Sequence, residues 1–218
     1  MTKTSKFISL IISASIFNLF GCSRQNQQKD KSAKFDTLNE QNSKSIEDFK
    51  NKLIHKVLTA QIIDTTSNEE LLQTVFNNLI DKISNDYTKE YQTVLGWTKS
   101  QQAIYIIGRL EAEVNNGGYN QFYFNSSGQY ADLAPDALKL VGASKFANLT
   151  IRANEVYKRE NEKITKQQDG SLEGFSKSYD NNPLNKFDDE FYELYKKEDL
   201  QKIQINYIRN HKQDFIDR

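Results

Sequence analysis

The sequence predicts a mainly α-helical fold, a single domain of about six to eight helices behind a signal peptide and a flexible tether. Three observations carry this. From residue 45 onward apolar residues recur at spacings of three and four, the period of a helix face. Helix-start and helix-stop residues punctuate that pattern. No stretch alternates apolar and polar residues over a convincing strand length, and there is no internal repeat.

The elements follow in order. Ile46, Phe49, Leu53 and Val57, with Ile54, Leu58 and Ile62 alongside, predict a first helix from Ser45. Ser67 and Glu70 have capping-box spacing and open a second helix with Leu72, Val75, Phe76, Leu79 and Ile83 on one side. Thr98 with Gln101 offers the same device for a third, striped by Ile104, Ile107, Leu110 and Val114. Gly117-Gly118 supplies the left-handed stop that helices favour. Pro135 suits the first turn of the next helix, where its missing amide costs little. Gly142 ends that helix, and Ser144 caps one running to about Ile164. Residues 166–183 are rich in Gly, Ser, Asn and Asp and read as a long loop ending at Pro183. Two helices follow, near Leu184–Tyr195 and Glu198–Phe215.

The first 44 residues have a different character. Lys3 and Lys6 precede an apolar run, Phe7 to Phe20, broken only by Ser9, Ser13, Ser15 and Asn18. A charged start, a short apolar core and a small residue before cleavage describe a secretory signal peptide over residues 1–21. The run is shorter than the roughly 20 apolar residues a membrane span needs. The only cysteine, Cys22, follows Leu19-Phe20-Gly21 directly. These four residues resemble the lipobox of bacterial lipoproteins. The resemblance implies acylation of Cys22, cleavage before it and a membrane partner reached through lipid. Ser23 after the cysteine looks like an outer-membrane sorting signal if the cell has two membranes. Residues 22–44 are polar, with Phe35 and Leu38 as the large apolar exceptions. They read as a disordered tether that would reach roughly 25 Å.

Charge narrows the function classes. The chain has 29 Lys+Arg and 29 Asp+Glu; residues 1–21 hold two of the lysines and none of the acids, so the processed chain is close to neutral. That balance offers no field to steer towards nucleic acid. With Cys22 acylated, no thiol is left for a disulfide or a cysteine metal site. Residues 45–218 are long enough for one ordinary core.

One segment stands apart: Glu113 at the end of a helix stripe, then Asn116, Gly117, Gly118, Tyr119, Gln121, Phe124, Asn125 and Gly128. These residues and the Ala-Leu…Gly-Ala stretch to Ala143 resemble a bacterial family of unknown function. Its best-known member is a DNA-mimic protein, number nineteen of its naming series. Phe187-Asp188-Asp189-Glu190-Phe191-Tyr192, Tyr207-Ile208-Arg209 and Phe215 also look like that family's ending, so the resemblance spans about residues 85–217. It implies a domain type rather than an activity. DNA mimics present rows of carboxylates, and this chain departs from that: residues 186–218 interleave seven basic and eight acidic residues.

The motif has a purely structural reading. Gly117 and Gly118 permit a tight reversal. Asn115, Asn116 and Asn125 bond freed backbone groups, aromatics fill space between helices, and Gln121 and Glu113 tie the loop down. The functional reading is a polar, aromatic-lined binding groove. Elsewhere the signals are bland. His55 and His211, the two histidines, lie at helical spacings from apolar or polar neighbours, and no Gly-x-Ser-x-Gly elbow accompanies them. Glu111 and Glu113 point to different sides of a helix. Asp188, Asp189 and Glu190 suit a helix start. No metal or cofactor signature is present. The expectation is therefore a lipid-anchored interaction or scaffold module of the cell envelope, with an unidentified envelope protein as partner. The alternatives are an envelope enzyme using Glu113, Asn116, Tyr119 and Gln121, and an immunity-type protein that neutralises a toxin.

Overall fold

The computed structural model describes residues 54–83, 87–169 and 171–217. They belong to one compact unit, Ile54–Arg218. The leader, Cys22, the tether and the start of the first expected helix lie outside the described residues. Among the described residues there are nine α-helices and no strand. They are α1 (Ala60–Thr65), α2 (Asn68–Asp81), α3 (Glu90–Leu95), α4 (Lys99–Phe124), α5 (Ala134–Val141), α6 (Ser144–Thr165), α7 (Leu172–Lys177), α8 (Asn185–Leu194) and α9 (Leu200–Asn210). Short 3-10 turns lie at Tyr87–Lys89, Ser126–Tyr130 and Lys212–Asp214.

Helix α4 is the hub. Ile104, Ile107, Leu110 and Val114 are fully buried, and the helix packs against α2, α5, α8 and the Ser126–Tyr130 turn. Helix α6 closes the other side against α5 and α8. Burying a side chain of this size stabilises by roughly 1.5–3 kcal/mol, so the α4 stripe anchors the core. Its start is the expected capping box: Thr98 Oγ1 accepts from Gln101 N at 3.1 Å, and Gln101 Oε1 accepts from Thr98 N at 3.2 Å. Pro135 sits in the first turn of α5. Gly142 (φ 97°) ends α5 in a paired cap, with Ala143 N donating to Leu138 O at 2.8 Å and Gly142 N to Lys139 O at 3.0 Å.

Five elements differ from the sequence reading, three of them because a distant group intervenes. Residues 54–59 are not helical although the apolar period runs through them. Asn78 Nδ2 donates to His55 O at 2.8 Å and Lys56 O at 3.1 Å, and extended Thr59 starts α1 by accepting from Ile62 N. Ser67 does not cap α2. Its hydroxyl turns to Glu69, whose carboxyl is held below its usual range by its own backbone amide first and by that hydroxyl second. Ser144 is the first residue of α6, not its cap. Glu198, from the α8–α9 turn, accepts from Lys145 N (3.1 Å) and Phe146 N (3.2 Å) instead. The expected loop 166–183 contains α7, capped by Ser171 Oγ accepting from Gly174 N at 2.9 Å. The last helix stops at Asn210, and a 3-10 turn carries Asp214 back to Ser100 Oγ at 2.5 Å.

The chain's early and late parts are clasped together. Asp217 Oδ2 accepts from Leu58 N at 2.8 Å, its Oδ1 meets Lys82 Nζ at 2.6 Å, and its own amide donates to Leu58 O at 3.1 Å. Burial pushes the Asp217 carboxyl up, but the bonds from Lys82 and Leu58 outweigh it and hold it below the usual range. Asp217→Ala should therefore lower stability by about 1–2 kcal/mol in urea unfolding and raise amide exchange at residues 58–59. The contribution of this clasp should also fade as pH falls through the depressed carboxyl value.

Candidate functional site

The Asn-Gly-Gly segment stops one helical stretch, as the sequence predicts, and a second stretch follows it at once. Helical backbone resumes at Tyr119 after Gly117 (φ −157°, ψ 27°) and Gly118 (φ 71°, ψ −176°). The Gly118 conformation is open essentially to glycine alone. A break inside a core frees backbone groups that must find partners. Here three side chains from the α7–α8 region supply them. Tyr192 donates to Val114 O at 2.8 Å, Tyr179 donates to Gly117 O at 2.8 Å, and Asp188 Oδ1 accepts from Tyr119 N at 2.7 Å. The Asp188 carboxylate lies so close over Gly118 that any Cβ there would overlap it, and one at Gly117 would strike Gln121 and Tyr179.

Beyond the break, the motif's polar side chains turn on each other. Glu113 is buried and takes three neutral donors: Gln121 Nε2 at 2.8 Å, Asn125 Nδ2 at 2.7 Å and Ser127 Oγ at 2.9 Å. Gln121 Oε1 accepts in turn from Asn116 Nδ2 at 3.0 Å. Gly128 lets the 3-10 turn press on the α4 backbone, since a Cβ there would fall 2.7 Å from Tyr123 O. Tyr119 is fully buried, with its hydroxyl 2.9 Å from Thr150 Oγ1 and its ring edge-on to Phe122 and Phe191. Phe124 is half-exposed and stacks at a tilt on Phe175, ring centroids 4.7 Å apart. So Glu113, Asn116, Gln121 and Asn125 do converge, with Gly117, Gly118 and Gly128 allowing the close approach. Two surface depressions lie elsewhere: a cavity of about 40 Å³ beside Lys163 and Asn182, and a shallow groove of about 420 Å³ between Leu140 and His211. Neither is lined by a residue of the 113–128 segment.

The broken helix and the acid that locks it lie within a stretch that a family model matches. The model of the DMP19-like protein family matches residues 96–211, just over half of the chain. The chain belongs to the DMP19-like family. No curated protein and no solved structure matches it. The matched stretch opens beside the Thr98 cap and closes at His211, so it contains the whole locked segment of the DMP19-like domain.

Some members of the cluster were hidden from sequence. Asp188 lies in the first turn of α8, as its spacing predicts, yet its carboxylate serves the restart of α4. Burial pushes it up to about 6, against the bond from Tyr119 N and with Asp189 adding to the rise. Asn120 is fully buried, donating to Ser178 Oγ at 2.7 Å and accepting from Asn182 Nδ2 at 3.1 Å. Glu111 faces away from Glu113, as two-residue spacing dictates, and accepts from Tyr195 OH (2.8 Å) and Gln204 Nε2 (2.9 Å). Burial raises its carboxyl, which those two bonds offset in part. Only a signal for Asp188 was available beforehand: an acid pair within a family-like ending. Of the histidines, His55 offers its backbone carbonyl to Asn78, and exposed His211 stacks on Tyr207 at 4.1 Å. Among the described residues no cluster of three or more His, Cys, Asp or Glu is placed to hold a metal ion.

Two outcomes follow for stability. Gly118→Ala should cost about 3 kcal/mol or more, combining a glycine-only conformation with overlap on Asp188. Gly142→Ala, where a Cβ meets nothing within 4 Å, should cost only about 1 kcal/mol; paired urea titrations check the contrast. Glu113→Ala leaves three donors without their acceptor and should cost about 3 kcal/mol, with Glu113→Gln recovering only part. Thermal unfolding of the two variants reads this directly.

Proposed function

We propose that this chain is a lipid-anchored interaction module of the cell envelope: a DMP19-like helical domain held to a membrane by acylated Cys22 and presenting its surface to an envelope protein. The observation that carries the reading is the single cysteine directly after Leu19-Phe20-Gly21 at the end of a charged-then-apolar leader. Multiple acyl chains on one residue exceed the two signals that stable anchoring requires. Among the described residues no helix is long and apolar enough to cross a membrane, so on this reading the lipid is the attachment.

The geometry of the motif fits a structural role in the domain rather than a chemical one. Glu113, Gln121, Asn125 and Ser127 satisfy one another, so no proton donor or acceptor in that group is left aimed at a cleft. The near-neutral charge of the chain speaks against mimicry of a nucleic acid.

Cys22→Ser tests the proposal. In a bacterial host the wild-type chain should enter the membrane fraction and incorporate labelled fatty acid, and the variant should lose both. Wild-type protein that is soluble and unlabelled would refute the anchor. Cross-linking in intact envelopes, followed by recovery through the domain, should return a partner that the variant no longer captures at the same level.

A further inference from the structure

The groove between α5 and α9 combines apolar side chains with unsatisfied polar ones. Leu140 and Val141 at the end of α5, with Ile203 on α9, give it an apolar strip. Asn206 and Asn210, one turn apart on α9 and both exposed, add two side-chain amides that bond no described residue. Tyr207 and His211 contribute a ring stack, centroids 4.1 Å apart and planes 22° from parallel. The Tyr207 hydroxyl is held 2.9 Å from Ser100 Oγ, and His211 Nδ1 lies 2.9 Å from Tyr207 O. The phenol is thus anchored within the fold, while exposed His211 keeps Nε2 and the ring face turned away from Tyr207. Gly142 leaves the α5 rim open, with nothing within 4 Å of where its Cβ would stand.

That lining selects among ligands. No Lys, Arg, Asp or Glu lines the groove. Three of the cations beside it in sequence are committed elsewhere: Lys139 to Asp136, Arg209 to Ile63 O and Thr66 O, and Lys212 to Asp64. Lys202, next to Ile203, stands outside the lining. A carboxylate or phosphate would lose hydration here without meeting an opposite charge. A wholly apolar ligand would cover the two amides and the imidazole and leave them unpaired. A peptide docks along a strand edge or as a helix in a long apolar channel. Among the described residues there is no strand, and about 420 Å³ is the size of a small-molecule site.

We propose that the α5–α9 groove is a binding site for a neutral glycan, a short run of uncharged sugar rings. Such a ligand has hydroxyl edges and a C–H face, which match the two kinds of lining. Asn206 and Asn210 each offer an amide donor and a carbonyl acceptor to neighbouring hydroxyls. His211 Nε2 supplies a third polar contact. The C–H face lies along Leu140 and Ile203 and against the Tyr207–His211 stack. The site rests on the groove alone and holds whether or not Cys22 is acylated.

Titration of the isotope-labelled full chain with chitotetraose, cellotetraose and maltotetraose tests this by magnetic resonance. At least one of these sugars should shift the side-chain amide signals of Asn206 and Asn210 and the ring protons of His211. Asn206→Ala and Asn210→Ala should each weaken that binding roughly tenfold, the loss of one set of hydrogen bonds. Both side chains are exposed and bond no described residue, so the thermal midpoint should stay in place and separate a lost contact from a lost fold. Cys22→Ser should bind the sugar as the wild-type chain does, which keeps this test apart from that of the anchor. No shift at these residues with any of the three sugars, or unchanged affinity in both alanine variants, would overturn the site. So would equal shifts of the same residues by acidic tetragalacturonate or by capped tetra-alanine.

Discussion

Breaking a helix inside a core is possible only if something else satisfies the backbone it abandons. In this domain that task falls to three side chains from the α7–α8 region, Tyr179, Asp188 and Tyr192, which reach Gly117 O, Tyr119 N and Val114 O. Everything near the motif depends on this. The redirected second half of α4 carries Tyr119 and Phe122 into the space facing α6 and α8, where both are fully buried. It also brings Gln121 and Asn125 back over Glu113, 8 and 12 residues upstream in sequence. Without the break, an unbroken α4 would carry those amides away from the carboxylate along the helix axis.

The same principle recurs at a smaller scale across the fold. Several ends are satisfied by groups far along the chain: Glu198 for the start of α6, Arg209 for Ile63 O and Thr66 O at the end of α1, and Asp217 for Leu58 N just before α1. Each of these closes a long loop in the chain, so local helices are made stable by tertiary partners rather than by their own propensity. Several short helices, α1, α3 and α7, have six residues each. That is below the length at which a helix holds by itself.

Buried carboxylates are a second theme. Glu111 and Glu113 leave opposite sides of α4 and both end among neutral donors, Tyr195 with Gln204 and Gln121 with Asn125 and Ser127. Such arrangements contribute geometry more than net stability, since desolvation offsets much of what the hydrogen bonds return. They fix which residues can sit where. They also explain why a polar, aromatic-rich segment that looks like a binding groove in sequence is largely turned inward. Within residues 113–128 its exposed positions are Asn115, Asn116, Phe124 and Ser126.

The sequence by itself determined the helical class, the α4 cap at Thr98, the α5 start at Pro135 and stop at Gly142, and the set of motif residues. These are local matters, decided within a turn or two by hydrogen-bond reach, backbone dihedrals and apolar period. It also carried the whole case for the leader and Cys22, which depends on residue order alone. Only the tertiary structure decided that a second helical stretch restarts at once after the Gly117-Gly118 stop, that residues 54–59 leave the helical period, and that the Asp188 carboxylate serves α4's restart. The reason is the same in each case. The deciding partner lies more than twenty residues away, and no local pattern records which distant oxygen or amide will be brought within hydrogen-bond distance when the core packs.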